Sequence, residues 1–310
     1  QEGVRPGDLL VVRHGRGGLQ PAAAVEDVIR RCEKIVESKE IACVGIAVAE
    51  HFELSRDLPS VLRNADPLQN RIDDLVQALV DTVAGNDLKE CYLRPLVVRT
   101  GEQMGVYGAG VPVETFIIAW KWGTYLGQDG VTNGVDVRVS SWRRAAPDTF
   151  PAMAKAGGNY LSSQLTKMEA KEDKYAEGIM LDSFGYVSEG SGENLFAVRD
   201  GCLYTAPLAA GILQGITRDS VVTIARDLDI PVREQVLPRE FLYVADELFF
   251  SGTAAEITPI RSVDRIPVGE GKPGPITQRI QREYLGIVKG RIADRHAWLT
   301  PVAEPAVAAR

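Results

Sequence analysis

Residues 178–204 read GIMLDSFGYVSEGSGENLFAVRDGCLY, and this stretch decides the fold class. Its apolar runs predict strands over residues 178–182, 186–188 and 194–198. The pair Asp200-Gly201 is typical of a two-residue hairpin turn, so another strand should follow at residues 202–204. Strands joined by such short turns are antiparallel, which favours an α+β fold over a parallel doubly wound sheet.

Helices and further strands flank this stretch on both sides. In residues 70–84 apolar side chains recur at three- and four-residue spacing, Asn70 can begin a helix there, and Gly85-Asn86 can end it. Similar patterns predict helices over residues 158–172, 217–228, 238–244 and 275–289, and strands over residues 90–98, 113–120 and 135–139. Glycines between residues 123 and 130 indicate a junction. We therefore expect a small domain over residues 1–121, an interdomain loop over 122–132 and a large domain over 133–310.

The composition narrows the classes of function. The chain has 310 residues and a net charge of −7, which disfavours a nucleic-acid partner. We expect no membrane association, because no apolar run approaches the roughly 18 residues that a spanning helix needs. The first residues do not resemble a secretory signal, which favours the cytoplasm. Four scattered cysteines and three histidines argue against a metal centre or a disulfide framework.

Lys155 is the first candidate for chemistry. It lies between an alanine and Ala156-Gly157-Gly158, so no sequence neighbour offers a side chain that could pair with its ammonium group. A desolvated amine of this kind loses its proton easily and can attack a carbonyl to form a Schiff base. The alternative is a surface lysine before a turn.

Three further stretches could hold a ligand. Glu189 and Glu193 lie among glycines and serines, where a carboxylate could keep an aromatic ring nitrogen protonated; the alternative is two exposed turn acids. Gly215 precedes Thr217 where a helix begins, so the free N–H groups there suit a phosphate, although an ordinary capped helix needs no ligand. Residues 251–258, SGTAAEIT, follow a hydrophobic strand and either bind an anion or form a tight turn.

In this order and spacing, the motifs resemble the fold-type IV pyridoxal-phosphate enzymes, and specifically the branched-chain amino-acid aminotransferases within class IV. The resemblance extends from about residue 92 to residue 290 and includes YLRPL at 92–96, WGTYLG at 122–127 and SSWRR at 140–144. It implies a two-domain α+β protein with a small N-terminal α/β domain. The larger C-terminal domain would combine a mixed β-sheet or barrel with helices, and the cofactor, pyridoxal 5′-phosphate, would lie in the cleft between the domains.

The resemblance also implies roles for individual residues. Lys155 would bond the cofactor covalently, Tyr160 would hydrogen-bond its phenolic oxygen, and Glu189 would pair with its ring nitrogen. The cofactor phosphate would be held by the N–H groups of Ile216 and Thr217 and by the Thr253 hydroxyl.

Substrate contacts follow from the same resemblance. The substrate carboxylate would be bound by Thr253, Ala254 and Ala255. The residues lining the substrate pocket would be Tyr92, Val106 and Trp122, with Val106 reaching across a dimer interface and Arg94 near the acidic side chain of the second substrate.

The implied activity is reversible transamination between leucine, isoleucine or valine and 2-oxoglutarate, as used in branched-chain amino-acid biosynthesis, by a homo-oligomer that is at least a dimer. Alternatives with the same fold are a D-amino-acid transaminase, an (R)-selective amine transaminase and 4-amino-4-deoxychorismate lyase. A pyridoxal-phosphate-binding protein that has lost catalysis is an alternative from another class.

The first 70 residues depart from the family pattern. Residues 31–41 read RCEKIVESKEI where the family carries aromatic and arginine contacts to the substrate. The arginine that pairs with the cofactor phosphate would fall near Ser60, so Arg56 and Arg63 are the candidates for that role. Either this segment has diverged or its residue identities are incorrect, and a peptide map by mass spectrometry separates the two.

Overall fold

The computed structural model describes residues 10–14, 72–86, 90–99, 105–108, 111–123 and 125–302. The chain divides into two compact units. Unit 1 comprises Gln1–Trp122, Ala156–Gly158 and Thr300–Arg310, and unit 2 comprises Gly123–Lys155 and Asn159–Leu299. The phosphate candidates Arg56 and Arg63, and the helix start at Asn70, lie outside the described residues.

Unit 1 contains a three-stranded antiparallel sheet and one described helix. The elements are β1 (Leu10–His14), α1 (Ile72–Ala84), β2 (Tyr92–Arg99) and β3 (Val113–Trp120). The strand order is β1-β3-β2, and α1 contacts β3. The predicted helix and both predicted strands are confirmed. One detail is wrong: Leu75 is buried as expected, but its neighbour Val76, at the edge of the apolar stripe, is exposed.

Unit 2 is built on a mixed sheet that closes into a barrel. Its strands are β4 (Val135–Arg143), β5 (Glu177–Leu181), β6 (Val187–Gly190), β7 (Asn194–Arg199), β8 (Cys202–Thr205), β9 (Val232–Glu234), β10 (Glu247–Gly252), β11 (Glu256–Val263) and β12 (Ile266–Pro267). Within it, β10, β11, β4, β5, β6 and β7 pair in this order, and β7 pairs back to β10. The pairs β11–β4 and β4–β5 are parallel, so the sheet is mixed, and the α+β expectation is confirmed.

The hairpin that the sequence predicts at Asp200-Gly201 is present. Arg199 pairs with Cys202 across the two strands, and both turn residues have positive φ, +50° and +74°. This is the backbone of a primed turn, whose twist matches that of the flanking strands.

Helices cover the outside of unit 2. They are α2 (Gly127–Asn133), α3 (Tyr160–Glu172), α4 (Ile216–Asp227), α5 (Phe241–Val244) and α6 (Pro275–Val288). Because successive side chains of a strand point to opposite faces, Leu195 and Ala197 of β7 pack in one core cluster, whereas Phe196 and Val198 pack in a second cluster with α4 and α6. Both faces of the central strands are therefore buried.

The segment predicted as an interdomain loop contains α2. Its two glycines have low helix propensity, but Val131 is buried and the Asn133 amide donates a hydrogen bond of 2.6 Å to Asp129 one turn earlier. Tertiary packing therefore overrides the local signal. Among the helices of the described residues, none has the length and apolarity needed to cross a membrane.

Candidate active site

Lys155 lies in unit 2 in the loop that leads into α3. The Asn159 amide donates hydrogen bonds to the carbonyl oxygens of Pro151 (2.8 Å) and Ala154 (2.6 Å). These two bonds fix the loop on the N-terminal side of Lys155, and Tyr160 follows as the first residue of α3. Lys155 therefore precedes the first residue of this helix by five positions.

Glu189 lies on β6, buried to 6% exposure. Its Oε2 accepts hydrogen bonds from the Leu213 backbone N–H (2.9 Å) and from the Asn194 amide (3.1 Å). Its Oε1 lies 3.2 Å from Nε of Arg144, which is itself buried. The alternative of an exposed turn acid is wrong, because β6 and β7 pair directly at Glu189 and Asn194 and enclose the carboxylate.

The electrostatics of Glu189 follow from this enclosure. Burial raises the pKa of its carboxyl group from 4.5 to about 7, against the opposing effects of Arg144, the Leu213 N–H and the charge of Lys155. The expectation that the Lys155 amine lacks a partner is wrong: Lys155 makes contacts in the folded chain, and it lies close enough to Glu189 to act on that carboxylate.

The N-terminus of α4 lies beside the same carboxylate. Gly215 is the residue before the helix, in extended conformation, and no side chain of the described residues caps the helix there. Thr217 is the second residue of the helix and is buried, so the expectation that Thr217 caps this helix is wrong. A Cβ on Gly215 would clash with Oδ1 of Asn194, whose amide is held by hydrogen bonds to Glu189 and to the Leu213 carbonyl, so a side chain here would displace that amide. Ile216 is half exposed and begins the helix.

Thr253, Ala254 and Ala255 form the turn between β10 and β11, where Gly252 pairs with Glu256. Thr253 is exposed and Ala255 is buried. The Ala254 carbonyl accepts a hydrogen bond from the Tyr125 N–H (3.4 Å), and the Ala255 carbonyl accepts one from the Thr258 hydroxyl (2.7 Å). With both carbonyls engaged, the turn is fixed at the end of β10, and Ser251 before it pairs with Asn194.

In unit 1 the expected pocket residues form an aromatic cluster. The ring centroid of Tyr92 lies 4.9 Å from Trp120 and 4.8 Å from Trp122. The Arg94 guanidinium lies over the Tyr92 ring, 5.4 Å from its centroid. Val106 is fully exposed in the single chain.

Two side chains that contact Glu189 were not predicted from the sequence. They are Arg144 and Asn194. Both lie in stretches that carry the family resemblance, but their role depends on pairing between β6, β7 and the segment after β4. The Leu213 N–H has no sequence signal at all, because a backbone donor is present at every residue except proline.

A family model for class IV amino-transferases matches residues 59–263. A branched-chain-amino-acid aminotransferase from Salmonella typhimurium is 51% identical over 254 residues, 82% of this chain and 82% of that protein. A crystal structure of the Escherichia coli branched-chain amino acid aminotransferase has a TM-score of 0.73 at 42% identity, with 96% of this chain and 89% of that one covered. A second crystal structure, of a branched-chain amino acid aminotransferase with pyridoxamine 5′-phosphate, has a TM-score of 0.76 at 35% identity, with 95% and 98% covered. With a match over most of its length and a fold in common, this chain belongs to the class IV aminotransferase family.

Proposed function

We propose that this chain catalyses the reversible transfer of an amino group between a branched-chain L-amino acid and 2-oxoglutarate, with pyridoxal 5′-phosphate as its cofactor. The observation that carries the proposal is the buried Glu189, held by Arg144 and Asn194 and influenced by the charge of Lys155. The relatives named as branched-chain aminotransferases support the substrate class, and the solved relative with pyridoxamine 5′-phosphate supports the cofactor.

The described residues fit this cofactor. A buried carboxyl group whose pKa is raised to about 7 is costly to ionise by itself, and a protonated ring nitrogen beside it would remove that cost. The N-terminus of α4 has no side-chain cap among the described residues, so its first N–H groups are available for a phosphate. When bound, pyridoxal phosphate supplies an aldehyde that accepts the amino group and a ring that withdraws electrons.

Each residue then has a defined task. Lys155 would hold the cofactor through its aldehyde carbon, and after release its Nζ would take the α-proton of the substrate and return it. Glu189 would keep the ring nitrogen protonated, while Tyr160 would donate to the ring oxygen. The phosphate would be bound by Ile216, Thr217 and Thr253.

Substrate recognition is proposed at two places. The N–H groups of Ala254 and Ala255 would bind the substrate carboxylate together with Thr253. Side chains in unit 1 would contact the rest of the substrate: Tyr92, Arg94, Val106 and Trp122.

An assay with L-leucine, L-valine, D-alanine and an (R)-amine, each with 2-oxoglutarate, tests the proposal. We expect turnover with L-leucine and L-valine only. Turnover with D-alanine or with the (R)-amine alone would refute the substrate class, and cofactor absorbance without any turnover would identify a binding protein.

We also propose that the chain forms at least a homodimer. On α3 three apolar side chains share one outward stripe at helical spacing, Leu161, Leu165 and Met168, and Met168 is 63% exposed. Light scattering after gel filtration tests this, since a monomeric mass would refute it. The domain limits at residues 121 and 133 and the cytoplasmic location stay predictions, which limited proteolysis and cell fractionation test.

A further inference from the structure

Three carboxyl groups of unit 2 are buried, Glu177, Glu189 and Glu193, with 0%, 6% and 4% exposure. The charges of Glu177 and Glu189 both act on Glu193. Two of them have a cation at contact distance. Nζ of Lys167 lies 2.5 Å from Oε2 of Glu177, and Nε of Arg144 lies 3.2 Å from Oε1 of Glu189. Within the described part of the chain, no lysine or arginine lies at ion-pair distance from Glu193.

The Glu193 carboxyl group is folded back under the turn between β6 and β7. Its Oε2 accepts a hydrogen bond from the Gly192 N–H (3.1 Å) and lies against Gly190, where a Cβ would come within 2.6 Å of that oxygen. The other oxygen, Oε1, is buried and has no hydrogen-bond partner in the residues that the structure describes. A buried anion with one donor and no cation is far more costly than a neutral acid in the same place.

The neighbours of Glu193 act in the same direction. Burial and the charge of Glu177 raise the pKa of Glu193 well above 4.5, and the charge of Glu189 adds to this, against the opposing charge of Lys167. Lys167 is held by Glu177, and its Nζ lies 4.7 Å from the centroid of the Tyr125 ring. Burial also raises the pKa of Tyr125, so its phenol is neutral. The charged neighbours of Glu193 are therefore already in ion pairs, Lys167 with Glu177 and Glu189 with Arg144.

We propose that Glu193 is a positioning residue held as a neutral acid, and that its neutrality keeps Glu189 ionised for the cofactor ring nitrogen. This rests on the proposed function, because the task of Glu189 does. Glu193 is four residues from Glu189 in the chain. If it were ionised, it would add a negative charge that has no cation beside it, and this charge would favour a proton on Glu189. A neutral Glu193 adds no unpaired negative charge beside the Glu189 carboxylate, which has Arg144 as its cation.

The infrared spectrum of the holoenzyme tests the protonation directly. At pH 8 we expect the carbonyl band of a protonated carboxylic acid in the wild type and its loss in Glu193→Gln, with no change in Glu172→Gln, whose residue is exposed at the end of α3. If the wild type has no such band, or if Glu193→Gln keeps it, the proposal is overturned. Should Glu193→Gln fail to fold, the wild-type spectrum decides, because the absence of a protonated carboxylic acid band at pH 8 overturns the proposal.

The pH profile tests the effect on Glu189. Gln is a neutral isostere of protonated Glu, so the acidic limb of kcat/KM should lie at the same pH in Glu193→Gln as in the wild type. If Glu193 were ionised, removing its charge would move this limb to lower pH, and such a shift would overturn the proposal. A wild-type protein without cofactor absorbance would refute the proposed function instead, and the infrared comparison would still decide the state of Glu193.

Discussion

The pKa of Glu189 gives a quantitative prediction for the cofactor-free protein. In the folded chain burial raises this pKa to about 7, against 4.5 as its ordinary value. The folded state therefore holds the proton more tightly than the unfolded chain, so the free energy of unfolding falls as the pH rises through this window. The full contribution is present below pH 4.5 and is lost above about pH 7. A shift of about 2.5 units corresponds to about 3.4 kcal/mol at 1.36 kcal/mol per unit.

The variant Glu189→Gln isolates this contribution, because glutamine has no proton to lose. Between pH 5 and pH 8 the stability of the wild type should fall by about 2.5 kcal/mol relative to the variant, since about 0.8 kcal/mol of the loss has already occurred at pH 5. Urea unfolding of both cofactor-free proteins at pH 5, 6, 7 and 8 measures the difference. Glu172→Gln, at an exposed position, is the control and should follow the wild type at every pH.

If the difference in the free energy of unfolding between the wild type and Glu189→Gln does not change from pH 5 to pH 8, the enclosure of Glu189 by Arg144, Asn194 and Leu213 is refuted. The same unfolding measurement in the presence of pyridoxal phosphate provides a second test. A protonated ring nitrogen beside the carboxylate favours its ionised form, so the fall in stability should move to lower pH in the wild type only.

Three further predictions concern the same site. Lys155→Ala should abolish both the visible absorbance of the cofactor and turnover, and a variant that keeps both would show that Lys155 does not bond the cofactor. Asn194→Ala removes the hydrogen bonds to Glu189 Oε2 (3.1 Å) and to the Leu213 carbonyl (2.8 Å), so by fluorescence titration the dissociation constant of the cofactor should rise. A loss of about 1.4 kcal/mol corresponds to a tenfold rise, and an unchanged constant would contradict the contact. Gly215→Ala places a methyl group 2.2 Å from Oδ1 of Asn194 and should lower stability by about 1–3 kcal/mol in thermal unfolding, whereas Gly192→Ala, at a position with open space, should not.

Most of the elements follow from local signals. The hairpin at Asp200-Gly201 and the helix over residues 160–172 were predictable because the turn chemistry and the apolar periodicity act over a few residues. The helix α2 was not predictable, since its glycines oppose it and the burial of Val131 that stabilises it comes from tertiary packing.

Local sequence patterns establish the α+β class and the hairpin, and the motifs that contain Lys155, Glu189 and Thr217 indicate the family. The folded chain is needed to see that Glu189 and Glu193 are buried rather than exposed turn acids, and that Arg144 and Asn194 enclose Glu189. The physical reason is that burial and charge pairing depend on closure of the barrel through β7 and β10, which brings together residues far apart in the chain. The sequence of a glycine-rich stretch does not show whether its carboxyl group is exposed to water or buried in protein. That environment determines whether the group is protonated.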